Sequence, residues 1–587
     1  MPDRHLTRLF LRRFGENDLI APDSDRRQFV AQGCAMLITG GLFVSFALLI
    51  PYFHSPHPLP SRTAANMIRV QFLFSSWSMT VMALVAVSVW DGLSLDHRDA
   101  DILGPLPVPR GAIVRAKLSA LVLLALGFVA ALNVVPALMH PIGAVSRLRP
   151  SLLQVGALVA AHLASTTAAA AFGFTAVLGI RELLHAALGA ARFRRISVLV
   201  RAALVVALVT TLLLIPAMAF RVANLWLLGA LDATLLPPMW FAGLHDMLSG
   251  HIWGQLPRPD LPAAVAQSER AFESMYQAHR PLLRELGRAG GGTFLLVLIA
   301  SAVAYVWNNR RLPDPPISRA TTRGHLSVMA DEIALRVVAR RPLVRAGVFF
   351  TMRVLAHSIQ NRLSMAIPLA VAIAVSMVSL PAAGMTSAWD FSTAPVAVLA
   401  VQLLFVTALT IGFRHSIRVP ADLGARWLFH LIRPAKHDVY LRGVKRAAVV
   451  KLVVPALLVL LPFHLFALGR QVAAIHFAFG LLSALVLREA LLLDYRRWPF
   501  AANYVPETTM TTYGGPYVFG CLVSVYTVAW LEHVALTSTS GTVALFIGAV
   551  TSFAAIRAID IWQRRHPREV DLDELVEPAT LRLGLTD

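Results

Sequence analysis

The chemistry most plainly written into this chain is recognition. Between two long apolar segments runs Trp90-Asp-Gly-Leu-Ser-Leu-Asp-His-Arg-Asp-Ala-Asp-Ile-Leu-Gly-Pro-Leu-Pro-Val-Pro-Arg110. Asp96, Arg98, Asp99 and Asp101 form one charged, amphipathic turn able to pair with charges on a partner. Leu106 follows as an apolar knob, and Pro107 and Pro109 stiffen the exit because proline fixes φ and ends helix propagation. A second stretch, Arg418 to Lys436, repeats the idea with opposite charge through Arg426, Trp427, Leu431, Arg433 and Pro434. Both are read as docking loops for a soluble partner. A charged loop that only solvates a membrane face has the same composition, and that alternative stays open.

Bond-making chemistry finds little support. There is no Gly-x-x-x-x-Gly-Lys-Ser/Thr phosphate cradle; Gly290-Gly-Gly292 lacks the lysine and reads as a flexible hinge. Neither His-Glu-x-x-His nor Gly-x-Ser-x-Gly occurs, and the 19 histidines are scattered. Cys34 and Cys521 sit inside apolar segments without partners at metal-ligand spacing, so they read as small buried hydrophobes. No catalytic, cofactor-binding or metal-ligating residue is expected. Charges inside a bilayer must justify their cost through function. Arg69, Arg115, Lys117, Arg201 and Lys451 lie in the first turns of their spans, where long side chains snorkel, and Glu532, His533 and Asp560 lie near the far ends of theirs. None reads as a mid-membrane proton or sodium site, with Glu489, beside Arg488, the least settled.

These elements need a frame, and the composition sets it. At 57% hydrophobic residues and a mean hydropathy of +0.64, the 587-residue chain is too apolar for an ordinary water-soluble protein. Scanning for segments of roughly 20 apolar residues gives about twelve membrane spans. The fold expected is an all-α polytopic membrane protein. It comprises a cytoplasmic amphipathic elbow at 1–30, a first six-helix half at 31–308 with an external segment at 220–290, a connector and second elbow at 309–363, a second six-helix half at 364–562 and a cytoplasmic tail at 563–587. Each elbow, rich in arginine and apolar residues, is expected at the membrane interface. Within the external segment, Leu236 to Gly250 is expected to re-enter or lie on the membrane and Ala263 to Arg288 to form a polar helix. Gly469-Arg470 is expected to make a tight hairpin between spans at 447–468 and 471–493.

The net charge of +20 invites a nucleic-acid reading, and topology gives a better one. With the N-terminus inside, roughly 38 Lys and Arg fall on the cytoplasmic side against about 10 outside, as the positive-inside rule requires. The basic excess then faces anionic lipid headgroups, and no nucleic-acid partner is expected. A multi-pass protein of the plasma membrane, a bacterial inner membrane, with both termini cytoplasmic, follows. Leu103, Leu106, Pro109 and Val114 align without gaps to Leu428, Leu431, Pro434 and Val439, and both sets follow the second span of their half. The economical account is tandem duplication.

The loop Leu95-Asp-His-Arg-Asp-Ala-Asp-Ile-Leu-Gly-Pro-Leu-Pro-Val-Pro109, the outer Leu236-Pro-Pro-Met-Trp-Phe241 with Gly243-Leu244, and Trp498-Pro-Phe500 with Asn503-Tyr504-Val505-Pro506 resemble ABC transporter permeases of the type-2 exporter class. The resemblance implies interfacial elbow helices, coupling helices between the second and third spans of each half, and two separate ATP-binding cassette subunits as partners. ATP and magnesium would belong to those subunits, leaving this chain without a cofactor or enzymatic activity of its own. The substrate is an unidentified, amphiphilic or lipid-like compound. This chain departs from the family in holding both halves and in its basic second loop. Two other readings stay open. One is an ion-coupled secondary transporter, which needs buried ion-coupling residues and no ATPase. The other is a lipid-modifying membrane enzyme built around Trp240, His245 and Asp246.

Overall fold

The computed structural model describes residues 2–14, 26–54, 60–90, 92–93, 103, 105–140, 151–227, 236–250, 263–309, 341–382, 395–421, 437–493, 495, 498–500 and 508–565. Among them the ordered secondary structure is helical throughout. Fourteen α-helices follow in order: α1 (Pro2–Phe14), α2 (Arg26–His54), α3 (Pro60–Ser88), α4 (Arg110–Met139), α5 (Leu152–Leu227), α6 (Pro237–Ser249), α7 (Ala263–Asn308), α8 (Pro342–His357), α9 (Ile359–Ala382), α10 (Val396–Ser416), α11 (His437–Ala448), α12 (Val454–Leu491), α13 (Thr508–Ala535) and α14 (Thr539–Arg565). A π-helical turn, Val449–Val453, joins α11 to α12.

Among the described residues ten stretches are long and apolar enough to cross a membrane, and a shorter apolar helix lies at Gly33–Phe46. In lipid every backbone N–H and C=O must be satisfied internally, which is why such a sequence folds as helices. One of the ten, His437–Leu491, is 55 residues long, nearly three times the ~20 residues a bilayer core requires. It folds back on itself at Gly469, whose φ of 73° and ψ of 168° lie outside the helical region. His464 and His476 show the reversal. A straight helix would hold residues twelve apart at ~18 Å, yet their ring centroids are 4.7 Å apart. The hairpin expected at Gly469-Arg470 is present. Gly189, at φ 70° and ψ 159°, breaks α5 in the same way.

The chain divides into two compact units, Met1–Ser197 with Ala207–Ile317, and Val198–Val206 with Ser318–Asp587. In the first, α1 lies against α4 and buries Phe10 beneath the ammonium of Lys117, 5.4 Å from the ring centroid. In the second, α8 lies against α11 so closely that Gly347 and Gly443 meet backbone to backbone. In each unit, then, a short helix packs on a longer hydrophobic segment: α1 on α4, and α8 on α11. The elbow residues expected at Ile333 to Val338 lie outside the described residues.

The segment expected outside, 220–290, departs from expectation in two ways. Its polar run is continuous with the following span as the 46-residue α7. The triplet Gly290-Gly-Gly292 is not a hinge, because it continues the helix. A β-carbon on Gly290 would fall 2.6 Å from Trp240 Cβ, and one on Gly243 2.2 Å from the Leu283 carbonyl oxygen. These glycines exist to let α6 and α7 touch. Met239 seals the contact in a core with Ile68, Phe72, Ile215, Leu283 and Leu286.

Candidate functional site

The loop between α3 and α4, expected to dock a partner, has a firm base and an exposed crest. Trp90 is buried, its indole N–H donates to Ser197 Oγ at 3.1 Å, and its ring stacks on Phe193 with centroids 6.4 Å apart. The Arg181 guanidinium covers Trp90 at 5.9 Å and Phe193 at 5.7 Å. Leu93 and Leu103 are buried, whereas Leu106 is 49% exposed. The N–H of Leu106 donates to the Leu103 carbonyl, and that of Val108 to the Leu106 carbonyl. Pro107 is exposed, and Pro109, at φ −60°, is the N-cap of α4. Asp96, Arg98, Asp99 and Asp101 lie outside the described residues, as do Arg426, Trp427, Leu431, Arg433 and Pro434 of the second loop.

The base of the second loop is described. The Phe500 N–H donates to the Ile417 carbonyl at 2.7 Å, and the Ala421 N–H to the Phe500 carbonyl at 2.9 Å. Phe500 holds φ at 64°, a left-handed conformation uncommon for a bulky residue, inside a core with Tyr440 and Trp498. Trp498 meets His437 edge-on at 5.0 Å. Phe193 thereby supports the loop after α3, and Phe500 the loop after α10.

Sequence reasoning missed two buried polar centres. In the first unit, Gln71 of α3 reaches His140 at the end of α4 and His162 of α5. Its amide nitrogen donates to His140 Nε2 at 3.1 Å and to His162 Nδ1 at 2.8 Å. The rings of His140 and His162 stack 4.3 Å apart, and His245 of α6 meets them edge-on at 5.6 and 6.3 Å. All three histidines are buried. Burial pushes the His140 imidazole down to about 4; burial, with His140 beside it, holds His245 well below the usual histidine range, so both rings are neutral at physiological pH. Asp246 turns away to pair with Arg280 at 3.3 Å. In the second unit, Gln402 of α10 donates to the His476 carbonyl at 2.6 Å, His464 stands against His476, and His476 Nδ1 lies 2.7 Å from Glu532 Oε1 of α13. Glu532 and His476 are fully buried, and Glu532 lies in the last turn of α13, near the end of its span as expected. The three histidines of the first unit are 22 and 83 positions apart in sequence, so no spacing rule could gather them.

A second signal was legible and overlooked. Arg181-Glu182 on α5 and Arg488-Glu489 on α12 match in sequence, with Gly173 and Gly480 eight residues earlier. Gly173 faces the Met79 carbonyl oxygen of α3, where a β-carbon would fall 2.1 Å away, and Gly480 faces Gln402 of α10 at 2.0 Å. Each Arg-Glu pair is joined through its own side chains. Glu182 then accepts from Asn308 Nδ2 of α7 at 2.8 Å. Glu489 accepts from Lys445 Nζ at 2.7 Å and pairs with Arg557 of α14 at 3.6 Å. Glu489 is therefore bound into a structural ion network.

Ten apolar helices and their internally paired backbone define the chain as a multi-pass α-helical membrane protein. No family model matches it, and neither a curated protein nor a solved structure does.

Proposed function

We propose that the chain is the membrane permease of an ATP-driven exporter resembling the type-2 ABC class, with both six-helix halves in one polypeptide. In this reading it hydrolyses nothing itself. Two separate ATP-binding subunits dock on its cytoplasmic loops and drive the efflux of an amphiphilic, lipid-like substrate across the plasma membrane. The observation that carries the reading is the first docking loop, where a half-exposed leucine stands on a base locked by Trp90, Phe193 and Arg181. Leaving Leu106 in water while fastening its support so firmly suits a surface that must transmit force.

The internal correspondences support twelve spans arranged as a tandem repeat. Both units set an elbow helix on the third span, press a glycine of the fourth span against the second, and link an Arg-Glu pair at the end of the fourth span to the end of the sixth. Counting Arg26–His54 as the first span and His437–Leu491 as two passes brings ten stretches to twelve.

The test is capture of the partner. Purified from native membranes, the wild-type chain should retain an ATP-binding protein. Leu106→Asp combined with Asp96→Lys and Asp99→Lys should reduce that retention at least tenfold, equivalent to about 1.4 kcal/mol, and should uncouple ATP hydrolysis from transport. Unchanged retention and transport in that variant would refute the docking reading.

Ion-coupled transport is a second reading, favoured by the His464, His476 and Glu532 centre buried within the spans of the second unit. It predicts that transport follows a proton gradient without any ATPase and that Glu532→Gln abolishes it. If ATP drives transport instead, E532Q should keep most of its rate, because glutamine can still hydrogen-bond His476. Transport in reconstituted vesicles under an imposed pH gradient separates the two.

A further inference from the structure

Three imidazoles from three separate helices converge in the first unit. His140 caps α4, His162 lies on α5 and His245 on α6; one ligand nitrogen from each falls within 4.8 Å of the other two. Their relative exposures are 6%, 0% and 4%. His162 Nε2, His245 Nε2 and Gln71 Oε1 are buried without a hydrogen-bond partner among the described residues. Each such atom costs about 1–3 kcal/mol when left unsatisfied. Three of them within one cluster mark a place built around something else.

We propose that His140, His162 and His245 bind a divalent transition-metal ion, zinc being the best match, through one ring nitrogen each. The donor set selects the metal. Imidazole suits zinc, copper and nickel, whereas calcium and magnesium need carboxylate and carbonyl oxygen. The carboxylate next to His245 in sequence, Asp246, is engaged by Arg280. Tetrahedral zinc with bonds of ~2.0 Å sets its nitrogens ~3.3 Å apart, so separations of up to 4.8 Å close by up to ~1.5 Å on binding. Rotation of the rings can supply that.

Gln71 supplies the outer support that metal-bound histidines require. Nitrogen and oxygen of an amide exchange places by a half turn of its terminal bond. With Oε1 toward the rings, Gln71 accepts from His140 Nε2–H and His162 Nδ1–H, leaving one lone pair on each ring for the metal and satisfying the unpartnered oxygen. Three protein nitrogens leave the fourth position of the ion for water. The ion would tie α6 to the ends of two spans and thereby hold the short external helix in place. The site is independent of what the protein moves or what drives it.

The test uses the full chain purified in detergent without a polyhistidine tag, stripped with chelator and dialysed against micromolar zinc. Elemental analysis should return close to one zinc per chain, and the thermal midpoint should rise on reloading. His162→Ala and His245→Ala should each lower bound zinc at least tenfold, while His357→Ala, at an exposed histidine, should leave it unchanged. Should those variants fail to fold, cobalt loading of the wild-type chain decides, since a low-coordinate nitrogen site gives strong visible bands and six-coordinate surface cobalt only weak ones. Absent strong bands, or zinc content below a tenth per wild-type chain, would mean that the histidines enclose only water and would overturn the proposal.

Discussion

Replacing Glu489 with alanine should be among the most damaging single changes in this protein, costing about 3–5 kcal/mol, the range for stripping one partner from a buried ion pair. The Glu489 side chain is 3% exposed and receives Lys445 Nζ, itself 4% exposed, at 2.7 Å. Arg488 completes its hold on the carboxylate, and Arg557, at 3.6 Å, links the group to Asp560 at 3.2 Å. Removing the carboxylate leaves three cations facing one another around a desolvated space. That uncompensated charge accounts for the penalty more than any lost attraction does. Glu489→Gln should lose less, because its oxygen still accepts from Lys445. Monodispersity and thermal midpoint in detergent, following E489A and E489Q side by side, measure the difference. Equal midpoints for the wild type and E489A would show that the network contributes nothing to stability.

The same residue shows where reading the sequence stops. A glutamate beside an arginine near the end of a span could be an ion site or a brace, and adjacency in sequence cannot decide which. The decision lies with Lys445 and Arg557, which arrive from α11 and α14. Periodicity and hydropathy, by contrast, are local. The all-helical character, most span positions and the Gly469 hairpin follow from runs of apolar residues and the conformational freedom of glycine. The polar part of α7 was legible as a helix, though its fusion to the next span was not. Nothing near Gly290 in sequence reveals that Trp240 lies against it. The histidine centres are the extreme case. In sequence His245 stands out only beside Trp240 and Asp246, Glu532 only as a charge near the end of a span, and Gln71, His140, His162, Gln402, His464 and His476 belong to no motif. Their meaning lies in which helices stand side by side, and that is set by packing. The repeated Arg-Glu with its preceding glycine is, by contrast, written in the sequence itself, at 173–182 and 480–489.

That glycine gives the sharpest contrast between local preference and packing. In an exposed helix interior, Gly→Ala gains about 1 kcal/mol because alanine loses less backbone entropy on folding. Gly127 of α4 has nothing within 4 Å of the position its β-carbon would take, so Gly127→Ala should be neutral or stabilising by that amount. Gly173 of α5 would place the same methyl 2.1 Å from the Met79 carbonyl oxygen and 2.9 Å from its carbonyl carbon. Those atoms are backbone of α3 and cannot swing aside as a side chain would. Gly173→Ala must therefore push the second and fourth spans apart, opening gaps beside buried Phe174 and Met82. Overpacking of this kind costs about 1–3 kcal/mol, enough to outweigh the gain in helix propensity. Larger residues should do worse, and Gly173→Val should prevent a monodisperse protein from accumulating. Gly480→Ala should be gentler, because its obstacle at 2.0 Å is the Gln402 amide, a side chain that can yield by giving up its bond to the His476 carbonyl. Thermal midpoints falling in the order G127A, G480A, G173A would establish that the fourth span of each unit is seated by its glycine; G173A as stable as G127A would refute it.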